Sequence, residues 1–106
     1  MTTSPVSSEA NRQLTIKLNV LRRCTKELDF YEKEYATQAT TLHTQVFDCP
    51  YERRKHEEAL RETERILPGC NKRVLEAKAS LYEFLSTGAG IDVDHSLRDQ
   101  AQELLQ

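Results

Sequence analysis

Apolar residues recur every seventh position at Leu14, Leu21, Leu28, Tyr35 and Leu42, and the series resumes at Leu60, Leu67, Val74 and Leu81. A seven-residue spacing keeps one edge of an α-helix apolar, and that edge needs a facing stripe to leave water. With only a short interruption between the two series, the second helix is predicted to return antiparallel beside the first. Leu18, Cys24, Tyr31, Ala39 and Val46 widen the first stripe into a buried face, so helix one is expected from about Ala10–Arg12 to about Phe47. Pro50 suits the first position of the second helix, where its missing N–H costs nothing and Asp48 or Cys49 can cap. The second helix is expected from Tyr51 to about Ser86, its face formed by Leu60, Thr63, Leu67, Cys70, Val74, Ala77, Leu81 and Phe84.

Pro68-Gly69 interrupts that face and would ordinarily end a helix, because an internal proline costs roughly 3 kcal/mol. A loop would reset the heptad phase, whereas Leu67 and Val74 keep theirs. Burying several large apolar side chains at about 1.5 to 3 kcal/mol each outweighs the proline, so a kink within a continuous helix is expected. Gly88-Ala89-Gly90 reads as a linker, after which Asp92 or Asp94 caps a short helix with Leu97, Ala101, Leu104 and Leu105 on one side. Such a helix cannot stand alone and should pack into the hairpin groove. The predicted fold is all-α: an elongated antiparallel three-helix bundle of one long hairpin, kinked at Pro68, plus a short C-terminal helix.

Composition narrows the function. The 106 residues are 38% hydrophobic and 30% charged, with no Trp, three Gly and three Pro, which suits a narrow helical domain over 10–106 and argues against a sheet. The Ser- and Thr-rich stretch 1–9 is expected to be a disordered tail without the features of a signal peptide. A formal charge of −2 provides no global positive field for nucleic acid or an anionic bilayer, and no apolar run is long enough to span a membrane. The partner is therefore expected to be another protein. Cys24, Cys49 and Cys70 are odd in number and widely spaced, which favours free thiols in the cytosol, with Cys24 and Cys70 as small core residues. No pair among these cysteines and His43, His56 and His95 has zinc-site spacing, and no phosphate loop or nucleophile elbow occurs. Neither a cofactor nor catalysis is expected.

Antiparallel pairing about a turn near Cys49 sets opposite one another residues whose numbers sum to about 98, which brings Tyr31 to Leu67 and Pro68. Pro68 deprives the Glu64 carbonyl of its helical donor; the Tyr31 hydroxyl can supply one, or Tyr31 is a large core side chain and water serves Glu64. Glu27 and Arg73 flank the stripe and can bridge the helices, which leaves Arg73 open to a structural or a functional role.

Arg12-Gln13 at the start, Tyr31-Glu32-Lys33-Glu34, Tyr51 in a basic stretch, Leu60 with Glu62, and Pro68-Gly69-Cys70-Asn71-Lys72-Arg73 follow one another along this hairpin. In order and spacing they resemble the tubulin-folding cofactor A family, also called tubulin-specific chaperone A. The resemblance implies a three-helix bundle that binds β-tubulin after its release from the cytosolic chaperonin and holds it ready for pairing with α-tubulin. Residues of the outward charged faces are the candidates for that contact: Glu32, Lys33 and Glu34 on helix one, and Glu57, Glu58, Arg61, Glu62, Glu64, Arg65, Lys72 and Arg73 on helix two. Their alternative role is solvated surface, with Glu57 and Arg61 forming an i,i+4 pair. Tyr31, Leu67, Pro68 and Cys70 are expected to be structural. A monomer in the cytoplasm, associated with the cytoskeleton, is expected; the competing reading is a coiled-coil homodimeric adaptor with no tubulin role. Ile16, Val20, Phe30, Ile66 and Leu85, at or beyond the stripe's edge, can face either the third helix or another subunit.

Overall fold

The computed structural model describes residues 5–91 and 93–106. Two long helices carry the molecule, α1 over Pro5–Thr44 and α2 over Pro50–Ser86, and a third, α3, spans His95–Leu105. Principal extents of 72 × 20 × 18 Å follow from the helix lengths, since 40 residues at a rise of about 1.5 Å make about 60 Å before the turn is added.

The boundaries follow local chemistry. α1 begins at Pro5, earlier than Ala10, so residues 5–9 of the expected tail are helical, and 1–4 lie outside the described residues. It ends at Thr44 rather than Phe47, and Val46, expected on the buried face, is 87% exposed in the turn. The Cys49 carbonyl accepts from the Glu52 and Arg53 amides at 3.1 and 3.4 Å, and Pro50 opens α2 where no donor is required. Cys49 caps α2 without a side-chain bond.

α2 is helical through Pro68 without interruption. Thr63, Cys70 and Val74 are all buried on one side of it, so the heptad phase crosses the proline intact. Pro68 and Glu64 are both exposed, which leaves water to satisfy the carbonyl freed by the proline. Tyr31 is half-buried and makes no hydrogen bond to Glu64 among the described residues; its ring meets Phe30 edge-on at 5.1 Å.

A tight 3-10 turn over Gly88–Ile91 takes the place of a loose linker. At Gly90 a Cβ would lie 2.7 Å from the Leu85 carbonyl oxygen, so only glycine permits this approach to the end of α2. Asp94 then caps α3, its carboxylate accepting from the Ser96 amide at 2.8 Å, while Asp92 lies outside the described residues. The Asn11 side chain accepts from the Asp94 amide at 2.8 Å, and Arg22 donates to Gln100 at 2.8 Å. These bonds lay α3 along the early part of α1.

The core lies where all three helices meet. Ala10, Leu14, Leu18, Leu21 and Cys24 pack with Val74, Ala77, Leu81, Phe84, Val93 and Ala101, and Leu97, Leu104 and Leu105 lean on them. Away from α3 the seam has only two sides. Tyr35, Leu42, Leu60 and Leu67, expected to be buried, are only half-buried there, and Thr63 alone among the described residues of that half is buried.

Polar bonds hold the register along the seam. Lys17 donates to the Ser80 hydroxyl at 2.7 Å and Thr63 to the Gln38 side-chain oxygen at 2.8 Å. Arg73 donates to Glu27 at 2.7 Å, the expected bridge, and also touches the Cys70 sulfur at 3.3 Å. Burial, followed by the neighbouring Glu27 carboxylate, pushes the Cys70 thiol above its ordinary pKa, with Arg73 opposing in part. The hydrogen bond and charge of Glu27 hold Arg73 above its own ordinary value.

Two outcomes follow from this distribution of burial. Leu14→Ala or Leu81→Ala should cost about 2 to 5 kcal/mol in chemical denaturation, and Leu42→Ala less than about 1.5, because only the first two leave a closed cavity. A thiol reagent should modify exposed Cys49 while buried Cys24 and Cys70 stay protected in the folded chain, Cys70 even above the usual thiol range near pH ~8.5. Equal reaction rates at all three would contradict this core.

Candidate partner-binding surface

The charged residues singled out from sequence lie on the outer turns and edges of the hairpin, mainly in its two-sided part. Glu32, Lys33, Glu58, Arg61, Glu62, Glu64, Arg65, Lys72 and Arg73 are exposed, and Glu34 and Glu57 are half-buried. Their positions follow from helical spacing, since each sits off the heptad stripe and is carried outward by the same packing that turns Leu28, Tyr35, Leu60 and Leu67 inward.

The cations in this set are all engaged. Lys33 pairs with Asp29 at 2.9 Å, Arg65 with Glu62 at 3.2 Å, and Lys72 with Glu76 at 3.9 Å. Glu57 is shared by Arg53 at 3.1 Å and Arg61 at 3.8 Å, which places the expected Glu57–Arg61 pair within a small network. Exposed pairs of this kind contribute about 0.2 to 1 kcal/mol each, so they neutralise charge more than they stabilise the fold. Arg73 differs from the others: committed to Glu27 on the other long helix, it is a structural tie as well as a surface cation.

The carboxylates are less fully matched. Glu34 accepts from the Gln38 amide at 3.4 Å, whereas Glu32, Glu58 and Glu64 make no ion pair within 4 Å among the described residues. Among the charged candidates the groups left without an ion pair are therefore carboxylates beside a half-buried apolar seam, while Lys26 and Arg54 are exposed cations that also make none among the described residues. The neutralising residues Asp29 and Glu76 escaped the sequence reading, although i,i+4 spacing to Lys33 and Lys72 was the signal for each; Arg53 reads from sequence as an outward charge, but its pair with Glu57 was missed.

Of the residues assigned structural roles, Cys70 is buried, Tyr31 and Leu67 are half-buried at the seam, and Pro68 faces solvent. His43 is exposed, and His56 stacks at 5.0 Å on Phe47 beside the turn. Exposed apolar residues missed from sequence are Leu75 and Tyr82, seven apart on α2 and 65% and 67% exposed. No group of three or more metal-ligating side chains occurs among the described residues, and no described helix is long and apolar enough to cross a membrane.

The family model described as "Tubulin binding cofactor A" matches residues 9–105. A "Tubulin-specific chaperone A" of Saccharomyces cerevisiae is 36% identical over 102 residues, covering 91% of this chain and 96% of its own length. A "Tubulin-folding cofactor A" of Arabidopsis thaliana is 35% identical, covering 71% of this chain and 68% of its own. A "Tubulin-specific chaperone A" of Gallus gallus is 33% identical, with 70% of each chain covered. No solved structure matches. A family match over nearly the whole chain, joined to a hairpin of the length and order that the sequence motifs imply, places this protein in the tubulin binding cofactor A family.

Proposed function

We propose that the protein is a tubulin-folding chaperone that binds β-tubulin released from the cytosolic chaperonin and keeps it competent to pair with α-tubulin. It works in the cytoplasm as a monomer, by binding and release and without a covalent step. The observation that carries this reading is the family match over residues 9–105, with relatives named for tubulin folding. The geometry supports it: a rod 72 Å long offers a protein partner an extended contact, whereas a catalytic site needs a concave, water-excluding pocket. Unpaired Glu32, Glu58 and Glu64 give that contact a charge preference and a dependence on ionic strength.

One observation favours a second reading, that of a homodimeric adaptor. Pro68, Leu75 and Tyr82 repeat every seventh residue on an exposed side of α2 and can seat another helix.

Mixing the folded chain with β-tubulin freshly released from chaperonin, and separately with α-tubulin, separates the readings on a native gel. The chaperone reading expects capture of β-tubulin alone, weakening as salt is raised through the range where the Debye length falls from about 10 to about 3 Å. A stable dimer in sedimentation with no capture of either tubulin favours the adaptor.

A further inference from the structure

α3 fills the groove between α1 and α2 along only part of the hairpin. At the base Asn11 and Leu18 form one wall of that groove, Asn11 bonded to the Asp94 amide and Leu18 buried in the cluster that includes Val93 and Ala101. Leu85 forms the other wall, lining a cleft with Arg98, Gln102 and Leu105 of α3. Beyond α3 the groove continues. Leu28, Tyr35, Ala39 and Leu42 on α1 and Leu60 and Leu67 on α2 are all half-buried, so the apolar floor is closed from two sides and open on the third.

The walls change character over this open reach. Glu32 stands three heptads after Asn11 and two after Leu18; Glu64 stands three heptads before Leu85 and Glu57 four. Because the heptad phase is kept through Pro68, these acids occupy the positions that flank α3 further down. By the register of the Gln38–Thr63 and Glu27–Arg73 ties, residues 32 and 64 also lie within about one helical turn of the same level. Glu57 is neutralised by Arg53 and Arg61, but neither Glu32 nor Glu64 has a cation within 4 Å among the described residues. Two like charges, neither of them in an ion pair, are therefore held across a half-buried apolar floor.

We propose that this open reach of the groove, continuous with the α3 interface, receives an amphipathic helix of the tubulin partner whose flanks carry Lys or Arg. The apolar side of that helix completes the third side of the seam, as α3 does at the base, and its cations lie between Glu32 and Glu64. From Glu32 to Leu42 the groove offers about 15 Å, enough for about three helical turns. Charge sets the choice of occupant. α3 itself carries Asp99 and Glu103 against Arg98, so the same helix from a second copy would bring acid to acid, and a basic helix is the complementary guest. This proposal rests on the tubulin reading and names the subsite through which it operates.

The test compares capture of β-tubulin by the native chain, by Glu32→Lys with Glu64→Lys, and by Glu83→Lys with Glu103→Lys. The last pair makes the same charge change at exposed positions outside the groove. Reversal in the groove should weaken binding about tenfold or more at unchanged far-UV circular dichroism, and the control pair should stay within about twofold. The uncharged pair Glu32→Gln with Glu64→Gln, which adds no repulsion, should fall between them. Carbodiimide coupling of the native complex should join Glu32 and Glu64 to lysines on the two opposite flanks of one β-tubulin helix. Equal weakening by the groove and control pairs, or coupling through Glu58 and Glu62 alone, overturns the groove while leaving tubulin binding intact. Failure of the native chain to capture β-tubulin removes the tubulin reading and the groove proposal with it.

Discussion

Everything in this molecule depends on how a narrow apolar stripe on a very long helix is removed from water. α1 and α2 each carry one such stripe over 40 and 37 residues, and neither is stable in isolation as an apolar edge in solvent. Facing one another, they cover two sides. The third side is supplied by α3, which has only 11 residues, so full burial is confined to the part of the hairpin that α3 can reach. Leu14, Leu18, Leu21 and Leu81 are shut away from water, whereas Tyr35, Leu42, Leu60 and Leu67 occupy the same stripes but remain half-exposed. One protein thus has a closed base and an open reach, built from a single repeated pattern.

The long seam also has to keep register, because apolar stripes slide more easily than polar contacts. Glu27 with Arg73, Gln38 with Thr63 and Lys17 with Ser80 fix the two long helices at three levels. The middle tie sits close to Pro68, where the ladder of α2 loses a donor, and Cys70 lies packed within it. The same seam sets which residues turn outward, and among the charged candidates those left without an ion pair are carboxylates.

Much of the fold was legible because its determinants are local and periodic. The hairpin, passage of the helix through Pro68 and the Glu27–Arg73 bridge followed from spacing, the start of α2 at Pro50 from the missing N–H of proline, and the α3 cap was narrowed to Asp92 or Asp94, of which Asp94 caps. Details that depend on the length of α3 did not. Heptad position cannot distinguish Leu21, which α3 helps to cover, from Leu42, which it does not reach. Val46 illustrates a different limit, since its stripe position was in phase but α1 ends at Thr44 before reaching it. On the charged faces that the sequence identified, pairing decides which charges are free. Asp29, Arg53 and Glu76 neutralise their neighbours, and the contrast between engaged cations and unpaired Glu32, Glu58 and Glu64 emerged only with the side chains in place.

Residue-resolved amide hydrogen exchange on the native chain tests this division most directly, because protection reports local opening along each helix. The closed-base account predicts the slowest exchange over residues 14–24 and 74–84, with protection declining along both helices toward the turn at 45–49. Uniform protection from one end of the hairpin to the other, or slowest exchange next to the turn, would contradict it.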